Sequence, residues 1–352
     1  KMPLESLYLS NFRLFKEKKI NFEKNHTFIF GKNGSGKTSL LEAINLIYTN
    51  RSLRSSDLVE CIKEGEWAFK AALSATNNKI PYTRTLIKEK EKRLENKINL
   101  KNIKKEEIEL PILVLNKQLR LIDGDPEIRR EFFNSLMFHV KHEIKKISSN
   151  YFKVLSQRNK AIKRGSSKKE INIWTDKLLF LGEELAKNQK QTFDLFKASI
   201  AREVVPKRNL EFYKGLNLKF LKGWPGQKNL KSTLKENFEK DRSIGYTQYG
   251  PHKFDFNFYI HTKKSKNLLS RGQQKLLILL TFLSINDFFK SLNRPESLLL
   301  IDDLSSELDL ENLKLFLNEV PKHKNQIIMT DIDSSDALKK APNMGNFERI
   351  II

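Results

Sequence analysis

The segment Gly31-Lys-Asn-Gly-Ser-Gly-Lys-Thr38 decides the fold of this 352-residue chain. It matches G-x-x-x-x-G-K-[ST] and lies between an apolar run at 26–30 (HTFIF) and a segment with helical apolar spacing at 37–48. Glycines let the backbone wrap its N–H groups around phosphates, and the following helix N-terminus adds partial positive charge. In this pattern the lysine reaches the β- and γ-phosphates and the hydroxyl binds Mg²⁺. The predicted nucleotide-binding residues are Gly31, Lys32, Asn33, Gly34, Ser35, Gly36, Lys37, Thr38 and Ser39, and Thr38 is also a predicted metal ligand.

A second acidic segment fits the same site. Residues 297–303 (SLLLIDD) read as a buried strand that ends in two aspartates. In α/β sheets, ligands bind beyond the carboxyl ends of the strands. We therefore expect Asp302 to hold Mg²⁺, and Asp303 to orient or deprotonate an attacking water, with Lys37 as the third catalytic residue. A strand that simply ends in polar turn residues is the plainer alternative.

Two further motifs follow in a known order. Residues 269–274 (LSRGQQ), before an apolar helix, resemble the signature motif of ABC-type ATPases, and residues 305–309 (SSELD) resemble their D-loop. The resemblance implies that Ser270, Gly272, Gln273 and Asp309 act on ATP bound to a second subunit. A helix N-terminus that presents a serine and backbone N–H groups suits that anion.

The resemblance narrows to one family. Short motifs along nearly the whole chain are similar to those of the RecF family: NFR at 11–13, RSLR at 51–54, RREFF at 129–133, QRN at 157–159 and GPH at 250–252. This likeness implies cytoplasmic ATPases related to the heads of SMC proteins, without their long coiled coil. It implies ATP and Mg²⁺ as cofactors and a head-to-tail homodimer that ATP closes on DNA. Slow, weak, DNA-stimulated hydrolysis would reopen the dimer.

The family likeness also implies partners and roles. RecF-like proteins act with RecO and RecR to load RecA in recombinational repair, replication restart and the SOS response. On this basis we expect Arg13 to lie near the nucleotide phosphates. Gln118, in a segment (114–119) where the family pattern is loose, is a candidate Mg²⁺ or water ligand. Thr330-Asp331 stands where many ABC proteins carry a histidine.

The pattern of elements predicts an α/β fold with an insertion. Strand-like and helix-like segments alternate up to about residue 124 and again from 250, including a predicted helix at 334–340. Between them, apolar residues at steps of three and four predict an antiparallel helical hairpin with a turn at 164–169 and arms about 50–60 Å long. We therefore predict an ABC-type ATPase head with mixed sheets (1–124 and 245–352) and an inserted helical, basic lobe (125–244).

Charge points to a polyanionic partner. The net charge is +23, and residues 139–242 carry 25 Lys and Arg against 11 Asp and Glu, a net charge of +14. Residues 139–169 hold ten basic residues and one acidic residue, so this face is not the usual mixture of signs. We expect sequence-independent contacts to DNA phosphates, because no base-reading motif is visible. The candidate DNA-binding residues are Lys145, Lys146, Lys153, Arg158, Lys160 and Lys163.

Other features exclude some classes of protein. One cysteine, Cys61, excludes an internal disulfide and a cysteine-ligated metal centre, and fits a reducing cytosol. The longest apolar run, at 276–285, is too short to cross a bilayer, and no signal peptide is expected, so no membrane partner is predicted. Three alternatives remain open: an OLD-type ATPase-nuclease that uses Asp331 and Asp333, the cytosolic half of a transporter, and a purely structural binder.

Overall fold

The computed structural model describes residues 4–77, 79–100, 108, 111–140, 142–204, 211–306, 308–332 and 344–352. The chain divides into two compact units. The split unit comprises residues 1–119 and 270–352, and the inserted unit comprises residues 120–269. The predicted helix at 334–340, together with Glu307 and Asp333, lies outside the described residues.

The elements are numbered along the chain. The strands are β1 Leu4–Phe12, β2 Phe15–Asn21, β3 His26–Phe30, β4 Ala68–Asn77, β5 Ile80–Glu89, β6 Glu95–Asn99, β7 Pro111–Val114, β8 Leu216–Leu221, β9 Asp255–Ile260, β10 Lys263–Lys264, β11 Leu298–Ile301, β12 Ile327–Asp331 and β13 Glu348–Ile351. The helices are α1 Lys37–Thr49, α2 Pro126–Val140, α3 His142–Lys163, α4 Lys168–Glu203, α5 Leu230–Glu236, α6 Phe238–Ile244, α7 Arg271–Ser291 and α8 Leu310–Glu319.

A parallel sheet carries the functional edge of the split unit. Its strand order is β13-β3-β12-β11-β7, and every neighbouring pair is parallel. Strands buried on both faces are nearly all apolar, as in β11, whose four residues are all buried. Because the strands are parallel, the residues that follow β3, β7, β11 and β12 gather at one edge.

An antiparallel sheet covers the other side of α1. Its order is β2-β1-β4-β5-β6. Every second residue of β4 from Phe69 to Ala75 is buried, and these residues form one hydrophobic cluster with the buried residues of β1 and with apolar residues of α1. The packing of α1 within this core fixes its N-terminus, which is where the glycine-rich segment ends.

Long helices dominate the inserted unit. The predicted hairpin is α3 and α4. Helix α4 has 36 residues and extends about 54 Å, within the expected length. Helix α3 has 22 residues and extends only about 33 Å, shorter than expected, because α2 precedes it as a separate helix. Only residues 164–167 separate the two helices, which makes them antiparallel neighbours that pack on each other. Ser167 caps α4 by accepting a hydrogen bond from the backbone N–H of Glu170, and Gly165 has φ +69° in the turn.

A small sheet and a cluster of phenylalanines complete the inserted unit. Strands β10, β9 and β8 form an antiparallel sheet in that order. The ring of Phe133 on α2 contacts Phe193 and Phe196 on α4, and Phe254 and Phe256 at β9. The inserted unit therefore ends at residue 269 and not at the expected 244, because β9 pairs with β8 and packs on the helices. The alternation at 253–260 predicts a strand but cannot say which sheet receives it.

The length and apolar character of a helix decide whether it can cross a membrane. None of the described helices is long and apolar enough to span a bilayer. The longest apolar stretch falls in α7, where residues 276–286 are all buried.

Candidate functional site

The glycine-rich segment forms a loop between β3 and α1. Gly36 has φ +99°, and a Cβ there would lie 2.5 Å from the ring of Phe15, so only glycine fits. The ammonium of Lys37 is buried and donates to the carbonyl oxygens of Gly31 at 2.7 Å and Lys32 at 2.9 Å. The backbone of the loop therefore wraps around the lysine side chain at the N-terminus of α1.

The two predicted metal ligands meet at the end of the parallel sheet. The hydroxyl of Thr38 donates to Oδ2 of Asp302 at 2.7 Å, across 264 residues of sequence. The other carboxylate oxygen, Oδ1, accepts from the hydroxyl of Thr330 at 2.6 Å. Asp302 is thus oriented by β12 while its second oxygen faces the loop, which suits a single cation that binds both side chains.

A cavity of about 300 Å³ opens at this edge. Most of the predicted nucleotide-binding residues and both aspartates line it: Asn33, Gly34, Gly36, Lys37, Thr38, Ser39, Asp302 and Asp303. Leu14, Arg54 and Asn116 also line it, although none of the three was expected at the site from the sequence. Gly31, Lys32 and Ser35 belong to the loop but not to the cavity wall. The hydroxyl of Ser35 is buried without a hydrogen-bond partner among the described residues.

Asp303 has an unusual backbone. Its φ is +52°, a left-handed conformation that costs a non-glycine residue about 1 kcal/mol or more, although aspartate tolerates it better than most. Its N–H donates to the hydroxyl of Thr330 at 2.9 Å, which fixes this conformation. One threonine therefore orients both aspartates at the cavity.

Asp331 holds the segment that follows the two aspartates. Its fully buried carboxylate accepts from the N–H of Ser305 at 2.8 Å, the hydroxyl of Ser305 at 2.6 Å and the N–H of Ile332 at 2.7 Å. Burial raises the pKa of Asp331, and these hydrogen bonds oppose the rise. Asp331, which follows Thr330 where many ABC proteins carry a histidine, thus joins β12 to the segment that follows Asp303.

Arg13 does not line the cavity, in contrast to the expectation from the family likeness. Its guanidinium binds both oxygens of Glu42 on α1, at 2.9 and 2.8 Å, and the carbonyl of Glu60 at 2.8 Å. Glu42 also accepts from the hydroxyl of Ser52 at 2.6 Å. Burial works to raise the pKa of Glu42, but the hydrogen bonds from Arg13 and Ser52 lower it overall. This buried cluster anchors the segment that brings Arg54 to the cavity.

Asn116, rather than Gln118, lies at the cavity after β7. The side-chain oxygen of Gln118 accepts from the backbone N–H of Leu115 at 3.1 Å, so the side chain turns back on its own loop. The prediction of Gln118 as a metal ligand therefore differs from the structure. Asn116 follows the carboxyl end of a strand in the parallel sheet, and the strand-end rule applied to β7 would have found it.

The signature segment forms a second polar surface. The hydroxyl of Ser270 accepts from the backbone N–H of Gln273 at 3.2 Å, and the side-chain oxygen of Gln273 accepts from the backbone N–H of Ser270 at 3.0 Å. Together these two bonds cap α7. Asp309 caps α8 and packs on Gly272, where a Cβ would lie 2.3 Å from its Oδ2. Ser270 and Asp309 are exposed, and these four residues are not among those that line the cavity.

The basic face of α3 is exposed except at one residue. Five of the six candidate DNA-binding residues are exposed: Lys145, Lys146, Lys153, Lys160 and Lys163. Arg158 is fully buried, and its guanidinium binds Asp241 at 2.8 Å, Thr247 at 2.6 Å and Thr175 at 2.9 Å. The prediction that Arg158 contacts DNA is wrong, because the side chain is fully buried and its charge is paired with Asp241.

The motifs QRN and GPH form one buried network in the inserted unit. Asn159 accepts from the N–H and the hydroxyl of Thr247, at 2.9 and 2.7 Å. The Nε2 of His252 lies 3.2 Å from the carbonyl of Thr247, and its Nδ1 lies 2.7 Å from the hydroxyl of Tyr151. A carbonyl only accepts, so Nε2 carries the proton and Tyr151 donates to Nδ1. Burial lowers the pKa of His252 to about 4, so the ring is neutral.

The nuclease alternative requires a second cluster of carboxylates that could bind metal ions. Within the described ranges, no group of three or more His, Cys, Asp or Glu is placed to hold a metal ion. Asp331 is engaged with Ser305, and Asp333 lies outside the described residues.

Comparison with known proteins gives a consistent picture. Residues 3–347 match the family described as "RecF/RecN/SMC N terminal domain". The chain is 29% identical to "DNA replication and repair protein RecF" of Nitrosococcus oceani over 361 residues, covering 98% of the chain and 97% of that protein. It is 30% identical to the protein of the same name from Colwellia psychrerythraea, covering 94% of the chain and 88% of the relative.

A solved structure agrees with these relatives. The structure described as "recombination mediator protein RecF-ATP in RecFOR pathway" superposes with a TM-score of 0.78 at 25% identity, covering 95% of this chain and 93% of that one. An SMC head bound to the winged-helix domain of ScpA shares the fold, with a TM-score of 0.55 at 17% identity. The predicted fold class, an ABC-type ATPase head with an inserted helical lobe, is confirmed. The chain therefore belongs to the RecF family of DNA replication and repair proteins, within the wider group of RecF, RecN and SMC N-terminal domains.

Proposed function

We propose that this protein is an ATP-dependent DNA-binding protein of recombinational repair and replication restart. One observation carries the proposal: the hydroxyl of Thr38 lies 2.7 Å from the carboxylate of Asp302, at a cavity lined by the glycine-rich loop. A phosphate loop and an acidic strand end that meet in this way form a site for a nucleoside triphosphate with its cation.

The residues present fit Mg²⁺ and ATP. Thr38 and Asp302 supply hard oxygen ligands, and Thr330 fixes the carboxylate of Asp302 through its other oxygen. Two of the three N–H bonds of the Lys37 ammonium hold loop carbonyls, which leaves the third for a phosphate oxygen. Arg54, at the cavity, adds a further positive charge for phosphates. When bound, Mg²⁺ supplies charge neutralisation between the phosphates.

Asp303 is the proposed catalytic carboxylate. Its backbone is fixed by Thr330 in the left-handed conformation, and the residue lines the cavity beside Asp302. We infer that it orients an attacking water and accepts its proton. By the RecF likeness, hydrolysis is proposed to be slow and stimulated by DNA.

We propose that ATP closes a head-to-tail homodimer. Ser270 and Asp309 are exposed and Gly272 and Gln273 are partly exposed, and none of the four lines the cavity of its own chain. Backbone N–H groups at the start of α7 suit the γ-phosphate of ATP bound to the partner. The composite site is complete only when two chains meet, so ATP binding and dimerisation are linked.

DNA is the proposed macromolecular substrate, at gaps and at single- or double-stranded regions. The exposed lysines of α3 supply contacts to phosphates without reading bases. By the RecF likeness, the protein acts in the cytoplasm with RecO and RecR to load RecA and support the SOS response.

Sedimentation of two variants tests the ATP-closed dimer. With ATP and Mg²⁺, Asp303→Asn should accumulate as a dimer, because the amide cannot accept the proton from water while the binding residues remain. Lys37→Ala should stay monomeric, because it loses the ammonium at the phosphates. An Asp303→Asn protein that shows no ATP-dependent increase in mass would contradict the proposal.

A further inference from the structure

A second cavity lies wholly within the inserted unit. Its volume is about 970 Å³, within the range of small-molecule sites. Three segments line it: the end of β8 with the loop after it, the segment between α6 and β9, and one side of α4. The lining residues are Ala186, Lys190, Phe220, Leu221, Lys222, Gly223, Trp224, Pro225, Gly226, Gln227, Gln248, Tyr249 and Lys253.

The loop after β8 is firmly built. The indole N–H of Trp224 and the ammonium of Lys222 both donate to the carbonyl of Lys228, each at 2.8 Å. Gly223 has φ +95°, and a Cβ there would lie 2.1 Å from the carbonyl oxygen of Gly250. Gly223 also accepts from the N–H of Gly250 at 3.1 Å. The position of Trp224 is therefore fixed by its loop before any ligand arrives.

The residues that line this cavity suit an anion that also has a flat apolar part. Lys190, Lys222 and Lys253 line the cavity, and no carboxylate is among its lining residues. Lys190 is paired with Asp194, whereas Lys222 and Lys253 form no ion pair within the described part of the chain. Trp224 and Tyr249 offer aromatic surface.

One side-chain nitrogen at the cavity favours a ligand with a hydrogen-bond acceptor. The side-chain Nε2 of Gln248 is buried and has no hydrogen-bond partner among the described residues. A buried donor without a partner is costly, so a ligand that accepts from it gains affinity. Nucleobases carry such acceptors on their edges, and they also have a flat face for stacking.

We propose that this cavity binds an unpaired nucleotide of a DNA strand, with its base against Trp224 and Tyr249 and its phosphates at Lys222 and Lys253. The inference rests on the proposed DNA binding and adds a single-strand subsite to it. In a duplex the base faces are stacked and unavailable, so the cavity distinguishes a gap from a continuous duplex. An acidic peptide also suits the lysines, but a backbone-linked series of phosphates and bases uses the aromatic rings and the Gln248 donor together.

Fluorescence anisotropy tests the proposal with a labelled single strand of 12 thymidines and a duplex of the same length. Trp224→Ala should weaken single-strand binding about tenfold, the order expected for one stacked base, and leave duplex binding unchanged. Trp67→Ala is the matched control, because Trp67 is 54% exposed and also lies beside a lysine, with Lys90 Nζ 5.8 Å from its ring centroid. It should bind both DNAs like the wild type.

The outcomes separate this proposal from the proposed function. Wild-type protein that binds duplex but no single strand, or Trp224→Ala that binds the single strand like the wild type, overturns the subsite alone. Wild-type protein that binds neither DNA overturns the proposed DNA binding as well. If Trp224→Ala instead loses affinity only for an acidic, phenylalanine-containing peptide, the cavity is a peptide site and the proposal fails. Lys253→Met should reduce the salt dependence of single-strand binding, as expected for one lost phosphate contact.

Discussion

At the residue scale, buried polar side chains position the two aspartates that line the cavity of the split unit. Thr330 binds Asp302 and the backbone of Asp303, while Asp331 binds Ser305 in the segment that follows. Asp331 pays the desolvation of a fully buried carboxylate, and three hydrogen bonds offset it. This arrangement ties the carboxyl end of β12 to the segment that runs toward the proposed dimer surface.

Arg158 gives a stability prediction. Arg158→Met should destabilise the inserted unit by about 3–5 kcal/mol, because it leaves the carboxylate of Asp241 buried without its cation. Urea unfolding followed by circular dichroism measures the loss. The exposed Arg164→Met on the hairpin turn is the control and should change stability by less than about 0.5 kcal/mol. An Arg158→Met protein that is as stable as the wild type but binds DNA more weakly would contradict this role and would indicate that Arg158 contacts DNA.

His252 gives a pH prediction. Burial lowers its folded pKa from the usual 6.5 to about 4, so the unfolded chain binds the proton more readily. Its contribution to stability is therefore present above pH 6.5 and is lost as the pH falls toward 4, by about 1.4 kcal/mol per pH unit. The melting temperature should fall between pH 7 and 5 more steeply for the wild type than for His252→Gln, which cannot titrate. Equal slopes would show that His252 is not the buried neutral ring described here.

At the element scale, the hairpin of α3 and α4 combines a packed inner face with a basic outer face. Tyr151, Arg158 and Ile162 of α3 are buried, whereas Lys146, Lys153 and Lys160, seven residues apart, are exposed along one stripe. Successive lysines in that stripe are about 10 Å apart along the helix. An exposed row of lysines of this kind can contact DNA phosphates without reading bases.

Charge reversal on that stripe gives a binding prediction. Lys146→Glu combined with Lys153→Glu should weaken binding to gapped duplex DNA at least tenfold and reduce the salt slope by about two contacts. Lys16→Glu combined with Lys19→Glu, at exposed positions on β2, makes the same change in net charge elsewhere. Titrations at several salt concentrations measure both. An equal loss in the two variants would mean that DNA responds only to the total charge.

The sequence predicts the helices, strands and loops better than it predicts the hydrogen-bond partners of single side chains. Local spacing and composition are enough to predict three features: the loop of residues 31–38, the acidic strand end and the helical hairpin. Arg158 could not be recognised as buried, because its partners Asp241 and Thr247 are more than 80 residues away. Arg13 is held by Glu42, which lies 29 residues away. Gln118 is held instead within its own turn, by the backbone N–H of Leu115. Two other residues of the cavity could have been predicted. Arg54 belongs to the family motif at 51–54, and Asn116 follows the carboxyl end of β7.

At the scale of the whole molecule, the net charge of +23 divides between two tasks. A few residues of the split unit, centred on Lys37 and Arg54, face the cavity proposed for ATP. Most of the excess positive charge lies at 139–242, in the inserted unit. Most of the basic side chains that the structure describes there are exposed, Arg158 being the buried one. Because the proposed ATP site is completed by a second chain, nucleotide binding would present two basic lobes to one DNA molecule, and the two sets of contacts would reinforce each other.

The most direct test of this linkage is a titration of gapped duplex DNA with the protein, with and without ATP, in Mg²⁺ at fixed salt. We predict that ATP tightens binding by the wild-type protein at least tenfold, through the dimer, and that Lys37→Ala binds DNA with the same weak affinity in both conditions. Wild-type protein that binds the gapped DNA equally well with and without ATP would contradict the account.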